Sequence, residues 1–284
     1  MQASQPQTIQ THLRFAAHHL PLSATPRLDL ELLLGHILQQ PRTFLFAWPA
    51  TQLSHAQEYC LQQLLAQRRQ NIPMAYLLGV QEFWGLRFEV NRHTLIPRPE
   101  TELLVEKILE YCPSVTSVLD LGTGCGAIAL ALAHQQPRWS ITASDISREA
   151  LAVAMRNAAQ HGSRHIRFLE SDWFAAIHGR FEVIVSNPPY LAADDPHLLS
   201  EAIRHEPHHA LVAMQEGIAD LEKIIRTARH YLIPHGWVFL EHGSTQGSQV
   251  RDLFLDYGYS RVATWRDIAQ LERVTVGQYT VLRT

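Results

Sequence analysis

Four consecutive residues, Asn187, Pro188, Pro189 and Tyr190, combine groups that could position a reacting substrate. They follow the apolar run 181–186, which has the length and the β-branched content of a buried strand. A strand cannot continue through two prolines, because proline fixes φ and lacks the N–H that a neighbouring strand needs. The sequence therefore predicts a rigid turn that presents an amide and an aromatic ring at the carboxyl end of a strand, where open α/β sheets bind ligands.

A glycine-rich turn lies upstream, between a predicted strand and a predicted helix. It reads Asp120-Leu121-Gly122-Thr123-Gly124-Cys125-Gly126. This G-x-G-x-G spacing does not match the G-x-G-x-x-G fingerprint of dinucleotide-binding loops. The Asp120 carboxylate would repel a pyrophosphate and instead suits a ligand with an ammonium or sulfonium centre. Close helix–strand packing is the alternative role for Gly122 and Gly126.

Two further strand ends carry acidic side chains. Asp145 lies nineteen residues after Gly126, where an acid accepts hydrogen bonds from ribose hydroxyls. Asp172 and Trp173 follow the next strand, and they could bind an adenine amino group and pack on its ring. Each acid has a plainer alternative, because Asp145 could cap a helix near Ser147 and most aspartates are surface residues. Their order at successive strand ends favours a pocket for a positively charged adenosine compound such as S-adenosylmethionine.

The alternation of strands and helices from about residue 115 predicts an α/β fold, with a mainly parallel sheet and helices on both faces. The last two strands lack a crossover helix between them, so we expect an antiparallel hairpin at one edge. The predicted strands are Ser117–Asp120, Ser140–Ser144, Ile166–Leu169, Phe181–Ser186, Trp237–Glu241, Ser260–Trp265 and Val274–Leu282.

The chain divides into three predicted segments. Residues 1–72 show helical spacing only, and we expect a small helical bundle that docks a protein partner or braces the second domain. Residues 73–100 form a connector with a β-hairpin, because residues 83–90 alternate like a strand that bends at Gly85. Residues 101–284 form the domain that carries the predicted S-adenosylmethionine pocket.

Composition excludes several classes of protein. The apolar fraction of 46% and the charged fraction of 18% are typical of a soluble globular protein. The net charge is −3 and no Lys/Arg block occurs, so we do not expect direct nucleic-acid binding. No apolar stretch reaches the length of about 20 residues that a membrane helix requires, so we do not expect a membrane helix either. Cys60, Cys112 and Cys125 lack C-x-x-C spacing, which predicts neither a disulfide framework nor a metal site and favours a reducing cytoplasm.

Longer stretches resemble known families. The glycine turn with Asp145 resembles the S-adenosylmethionine site of class I methyltransferases, and Asn187-Pro188-Pro189-Tyr190 resembles the tetrapeptide of enzymes that methylate planar amino or amide nitrogens. Nearly the whole chain is similar to the peptide chain release factor glutamine methyltransferase family. The stretches that carry this similarity are Pro73-Met74-Ala75-Tyr76-Leu77-Leu78-Gly79, Leu95-Ile96-Pro97-Arg98-Pro99-Glu100-Thr101-Glu102, Glu241-His242-Gly243 and Glu272-Arg273-Val274-Thr275-Val276-Gly277. Met74 and Cys125 depart from the family's usual residues.

The resemblance implies a Rossmann-like domain with a seven-stranded sheet. It also implies methyl transfer from S-adenosylmethionine to the side-chain nitrogen (N5) of the glutamine in the Gly-Gly-Gln motif of release factors. The glutamine methyltransferase of a ribosomal protein and an adenine-N6 nucleic-acid methyltransferase, which would act on a flipped base, are the alternatives. The resemblance leaves the roles of Arg98, Glu100 and Glu241 open.

The expected site residues follow from these arguments. For the substrate, we expect the Asn187 side-chain oxygen and the Pro188 carbonyl to accept N–H bonds from the glutamine amide, Pro189 to keep them rigid, and Tyr190 to stack on the amide. A plain turn role for Asn187 and a core role for Tyr190 are the alternatives. The expected cofactor-binding residues are Asp120, Gly122, Thr123, Gly124, Cys125, Gly126, Asp145, Asp172, Trp173 and Asn187.

Overall fold

The computed structural model describes residues 7–200 and 203–280. Contacts divide the chain into two compact units, one that ends at Gly79 and one that starts at Val80. The predicted connector is therefore split, since its first helix belongs to the first unit and its hairpin to the second. Within the described ranges, no helix has the length and apolar character needed to cross a membrane.

The first unit is helical, as its spacing predicts. Its core combines buried apolar side chains from all the helices named at the end of this paragraph, and Asp29 accepts a hydrogen bond from Arg68 at 2.7 Å. The helix His55–Arg69 starts after Ser54, whose hydroxyl accepts the Gln57 amide at 3.3 Å and so caps the helix. The helices are α1 (Ile9–Arg14), α2 (Ala16–His19), α3 (Pro26–Leu38), α4 (Arg42–Ala47), α5 (His55–Arg69) and α6 (Met74–Leu78).

The second unit begins with a two-stranded hairpin, β1 (Val80–Phe83) and β2 (Leu86–Glu89). The hairpin expected in this segment is therefore present, but the single strand expected over residues 83–90 is wrong, because the chain reverses direction at Gly85. Trp84 and Gly85 have φ values of 54° and 70°, which is the backbone geometry of a two-residue hairpin turn.

The other elements of this unit alternate between helix and strand. They are α7 (Glu102–Tyr111), β3 (Ser117–Leu121), α8 (Ala127–Gln135), β4 (Ser140–Asp145), α9 (Arg148–Gln160), β5 (Arg167–Glu170), β6 (Phe181–Ser186), α10 (Met214–Gly217), α11 (Ala219–Ala228), β7 (Leu232–Glu241), α12 (Gly247–Asp256), β8 (Tyr259–Arg266) and β9 (Glu272–Tyr279). Short 3₁₀ turns occur at Pro99–Thr101, Pro196–Leu199 and His208–Ala210.

In the described part of the chain, seven of these strands form one sheet in the order β5-β4-β3-β6-β7-β9-β8. The first five strands in this order, β5, β4, β3, β6 and β7, run parallel, whereas β9 pairs antiparallel with both β7 and β8. The predicted fold class, a mainly parallel sheet with an antiparallel edge hairpin, is confirmed. Strand order reverses between β3 and β6, which makes their carboxyl ends a topological switch point.

Strand β7 starts five residues before the predicted Trp237. Pro234 and Gly236 in the sequence indicate a loop, but the strand passes through them with a register shift against β6 and with His235 at a φ of 66°. The predicted strand end at Leu282 lies outside the described residues.

Gly277 allows α12 to pack closely on β9. A Cβ added there would lie 2.5 Å from Cδ1 of Phe254, which is fully buried. We expect Gly277→Ala to reduce the free energy of unfolding by about 1–3 kcal/mol, because the ring has to move within a packed core. Thermal denaturation measures the effect. In the double variant Gly277→Ala/Phe254→Leu the smaller leucine side chain makes room for the added methyl group. The double variant should therefore lose less free energy of unfolding than the sum of the losses of the two single variants, and a loss equal to that sum would contradict the proposed clash.

Candidate active site

The carboxyl ends of β3 and β6 bring the glycine turn and the Asn-Pro-Pro-Tyr turn to one crevice. Six of the predicted cofactor-binding residues line a cavity there: Gly122, Gly124, Asp145, Asp172, Trp173 and Asn187. Pro189 lines the same cavity. The structure therefore brings together side chains and backbone from four neighbouring strand ends, those of β3, β4, β5 and β6.

Four other predicted cofactor residues lie in the same loop without lining the cavity. Gly126 serves packing, because an added Cβ would lie 3.1 Å from Leu130 and 3.3 Å from Ala154. Cys125 is buried, and burial raises the pKa of its thiol to about 12. The Thr123 hydroxyl donates a hydrogen bond to Oδ2 of Asp120 at 2.7 Å, and both side chains are buried. Direct cofactor contacts of these four residues stay predictions.

Asp120 has an unmet hydrogen-bonding need. Its Oδ2 accepts the Thr123 hydroxyl, but its buried Oδ1 has no partner among the described residues. Burial raises the pKa of this carboxyl to about 7, the Thr123 bond opposes that rise, and the nearby Asp145 adds to it. An unpaired buried carboxylate oxygen is costly, so a cationic group bound in the crevice would stabilise the ionised form.

The backbone of the glycine turn forms an open cradle. Gly122 and Gly124 have φ values of 70° and 57°, which favour glycine. The amides of Gly122 and Thr123 both donate to the Ser144 carbonyl, at 2.8 and 2.9 Å, and so fix the turn against β4. A Cβ on Gly124 would meet no atom within 4 Å, so space is left on the cavity side for a ligand.

Asp145 connects the glycine turn to the start of α9. Its Oδ2 accepts the Gly124 amide at 2.8 Å and its Oδ1 accepts the Ser147 amide at 2.9 Å, while the Ser147 hydroxyl caps α9. Burial raises the pKa of this carboxyl as well. Each carboxylate oxygen has a second lone pair, so Asp145 can still accept hydrogen bonds from the hydroxyl groups of a ligand in the cavity that it lines.

Trp173 adopts a backbone conformation that is rare for an aromatic residue, with a φ of 49°. Its indole N–H donates to Oδ1 of Asp220 at 3.2 Å, and Asp220 also lines the cavity. The exposed Asp172 carboxylate accepts from Lys223 at 3.0 Å. Sequence reasoning missed Asp220, because its only local signal is an acid in the first turn of α11.

The Asn-Pro-Pro-Tyr turn is fixed by side chains from distant segments. The Asn187 amide donates to the Thr101 hydroxyl at 3.1 Å. Tyr190 does not line the described cavity, and its hydroxyl lies 3.4 Å from Oε1 of Glu241. The Tyr190 carbonyl accepts from Gln246 at 3.0 Å and packs against Gly217, where an added Cβ would lie 2.1 Å from that oxygen.

The segment 95–102 is held by two carboxylates. Arg98 forms a salt bridge with Glu206, which is buried and also accepts the Ile96 amide at 3.0 Å. Glu102 accepts the Trp84 amide from the hairpin turn at 2.7 Å. The sequence left the role of Arg98 open and missed Glu206, since no motif marks a partner that lies 108 residues away.

Comparison with known proteins places this geometry in a family. Residues 11–79 match the model of the PrmC N-terminal domain, and residues 99–211 match that of the Methyltransferase small domain. A release factor glutamine methyltransferase of Salmonella typhimurium is 48% identical over 95% of this chain and 99% of that protein. The corresponding protein of Vibrio cholerae is 43% identical over 96% of this chain and 97% of its own length.

The chain belongs to the release factor glutamine methyltransferase family. The resemblance found in the sequence is thereby confirmed. A solved methyltransferase structure from Pyrococcus furiosus shares the fold with a TM-score of 0.53, at 19% identity over 69% of this chain and 90% of that chain. That likeness agrees with the class I methyltransferase architecture of the second unit.

The role of Asp145 can be tested by binding. We expect Asp145→Ala to weaken binding of S-adenosylhomocysteine about 100-fold, because the variant loses a ligand acceptor and the anchor of the Gly124 amide, together worth about 3 kcal/mol. Isothermal titration calorimetry measures the affinity. Glu170→Ala is the matched control, since Glu170 pairs with Asp145 across β4 and β5 but is exposed and does not line the cavity. Equal affinities of the two variants would contradict the assignment.

Proposed function

We propose that this protein transfers a methyl group from S-adenosylmethionine to the N5 amide nitrogen of the glutamine in the Gly-Gly-Gln motif of a peptide chain release factor. The observation that carries the proposal is the Asn187 amide, held at the end of β6 beside a cavity lined with acids from β4 and β5. The names of the relatives, which are nearly half identical over the full length, support the same substrate.

The described residues fit this cofactor. S-Adenosylmethionine supplies an electrophilic methyl group on a positively charged sulfur. Asp145 is suited to accept the ribose hydroxyls, and the Trp173 ring is suited to pack on adenine beside Asp172. The unpaired Oδ1 of Asp120 provides negative charge that complements a cationic ligand.

Asn187 and Pro188 would prepare the glutamine amide for attack. An amide nitrogen is a poor nucleophile, because its lone pair is delocalised into the carbonyl. Hydrogen bonds from its N–H groups to the Asn187 Oδ1 and the Pro188 carbonyl strengthen as positive charge develops on nitrogen, which stabilises the transition state. The two prolines hold both acceptors in place before the reaction, so little reorganisation is needed.

The transfer balances without a catalytic base. The nitrogen–carbon bond forms as the carbon–sulfur bond breaks, and the electron pair of that bond remains on sulfur. The methylated nitrogen then releases one proton to solvent. In the proposed arrangement Tyr190 stacks on the planar amide, and burial raises the pKa of its hydroxyl, so the ring stays neutral at physiological pH.

We further propose that the first unit docks the release factor. Phe46 and Trp48, at the end of α4, are 54% and 63% exposed. Large aromatic side chains on a surface are typical anchors of protein–protein interfaces.

Cys60, Cys112 and Cys125 are free thiols, which supports a reducing cytoplasm as the place of this reaction.

The substrate assignment is tested with labelled S-adenosylmethionine and a release factor. Label should enter a protein with the intact Gly-Gly-Gln motif and not one in which that glutamine is replaced by alanine. Equal labelling of the two would refute the proposal. Duplex DNA and ribosomal proteins serve as parallel substrates, and preferential labelling of either would identify an alternative methyltransferase.

Asn187→Ala separates chemistry from cofactor binding. We expect a fall in kcat of at least about 100-fold, because one hydrogen bond that forms fully in the transition state is lost. Affinity for S-adenosylhomocysteine should stay within about threefold of the wild type, by calorimetry. If affinity falls as much as kcat, Asn187 mainly serves the cofactor and its assigned role is wrong.

The docking role predicts a difference between large and small substrates. Phe46→Ser/Trp48→Ser should raise KM for the intact release factor about tenfold or more, because interface aromatics each contribute about 1–2 kcal/mol, and should leave turnover of a short Gly-Gly-Gln peptide unchanged. Ile268→Ser is the control, since this side chain is 96% exposed in the β8–β9 turn of the second unit. Unchanged kinetics of the double variant with the release factor would locate docking elsewhere.

A further inference from the structure

We infer that Asp220 is a positioning residue that holds the Trp173 indole ring in the plane in which it packs on the adenine of the cofactor. The inference rests on the proposed role of Trp173 at the cofactor, and it does not depend on which protein is methylated. It assigns a task to an acid of the cavity wall that no sequence motif marks.

The main chain of Trp173 is fixed without help from its ring. The residue has a φ of 49°, a conformation that few aromatic residues adopt. The Ser171 hydroxyl donates to the Trp173 carbonyl at 2.8 Å and accepts the Ala176 amide at 2.9 Å. These bonds do not restrict χ1 or χ2 of the tryptophan, so contacts of the ring itself have to select one orientation.

Two opposite ends of the indole ring meet defined neighbours. Its N–H donates to Oδ1 of Asp220 at 3.2 Å. The far edge of the six-membered ring faces the glycine turn, since Cζ3 lies 3.8 Å from the position of a Cβ added to Gly122. The nitrogen, this edge and the bond to Cβ are three points that are not in line, so together they fix the plane of the ring. An indole N–H can only donate, and an ionised carboxylate is a strong acceptor for it.

Helix α11 presents the acid from a rigid position. Asp220 and Lys223 are three residues apart and so share one face of the helix. Asp220 accepts the indole N–H, and Lys223 donates to Oδ1 of Asp172 at 3.0 Å. The helix therefore holds the consecutive residues 172 and 173 by two side-chain bonds. Three buried apolar side chains anchor the helix in the core: Leu221, Ile224 and Ile225.

Loss of the acceptor at residue 220 would release the ring without removing it. An indole N–H that lacks an acceptor in a partly buried site is costly, and rotation of the ring toward water relieves that cost. Aromatic contacts depend on the relative geometry of the two rings. The affinity for ligands that carry adenine should then fall, whereas contacts to the rest of the cofactor persist.

Two substitutions of Asp220 separate the hydrogen bond from the charge. Asp220→Leu keeps the size and removes the acceptor, whereas Asp220→Asn keeps an acceptor oxygen and removes the charge. By isothermal titration calorimetry with S-adenosylhomocysteine, we expect about tenfold weaker binding in Asp220→Leu and binding within about threefold of the wild type in Asp220→Asn. Wild-type affinity in Asp220→Leu, or equal losses in the two variants, overturns the inference.

Glu222→Leu is the matched control. Glu222 is an acid in the same first turn of α11, but it accepts the Tyr257 hydroxyl at 2.7 Å and does not line the cavity. Its substitution removes the same charge from the helix N-terminus and should leave the affinity within about threefold of the wild type. A loss as large as that in Asp220→Leu would attribute the effect to the helix and overturn the inference.

A ligand without adenine distinguishes positioning of the ring from general support of the site. S-Ribosylhomocysteine lacks the base and keeps the ribose and the homocysteine. Its affinity, measured by competition, should be the same in Asp220→Leu as in the wild type. Equal losses for this ligand and for S-adenosylhomocysteine would indicate a structural role of Asp220 and overturn the inference.

The Trp173→Phe background tests whether Asp220 acts through the indole. Phenylalanine has no N–H, so Asp220→Leu should cause no further loss of affinity for S-adenosylhomocysteine in this background. A further loss of the same size would show that Asp220 contacts the cofactor directly and overturn the inference.

Failure of the proposed function would look different from failure of this inference. If Trp173 does not pack on adenine, Trp173→Ala binds S-adenosylhomocysteine as tightly as the wild type. If the release factor is not the substrate, its glutamine stays unlabelled while the affinities of the Asp220 variants are as expected.

Discussion

Burial of carboxylates at one edge of a parallel sheet is the physical constraint on which the site depends. Asp120, Asp145 and Glu241 belong to strands β3, β4 and β7, and burial raises the pKa of each. A charge removed from water is costly unless it is paired or hydrogen-bonded. The protein meets this need only in part, since one oxygen of Asp120 and one of Glu241 lack partners among the described residues. The loops that surround these acids are shaped by the bonds that they accept.

The reversal of strand order turns this constraint into a binding site. Because β3 and β6 are neighbours although their chain positions are far apart, the glycine turn and the Asn-Pro-Pro-Tyr turn meet at one crevice. The first turn presents backbone amides and open space, and the second presents a rigid acceptor. Neither turn could form the cavity alone.

The parts of the structure that local patterns determine were predictable. Buried strands such as Phe181–Ser186 are apolar throughout, and the alternation with helices fixes a parallel sheet whose strand ends share an edge. Six predicted cofactor residues therefore line the cavity. Their direct contacts with the cofactor stay predictions.

The remaining features depend on contacts between distant segments. The bond from Asn187 to Thr101 joins residues 86 positions apart, and that from Trp173 to Asp220 spans 47. The spacing of residues along the sequence does not predict contacts between segments so far apart. The early start of β7 was missed for a different reason, since Pro234 and Gly236 are loop signals that a register shift in the sheet overrides.

The burial of Cys125 has a consequence for the chemical safety of the enzyme. A sulfonium methyl donor is an electrophile, and a thiolate is among the strongest nucleophiles that a protein contains. Cys125 lies in the glycine turn itself, yet burial raises the pKa of its thiol to about 12. At neutral pH the thiol therefore stays protonated, and Cys125 does not line the cavity. A buried, protonated thiol competes poorly for the methyl group, even with a nucleophile as weak as an amide nitrogen.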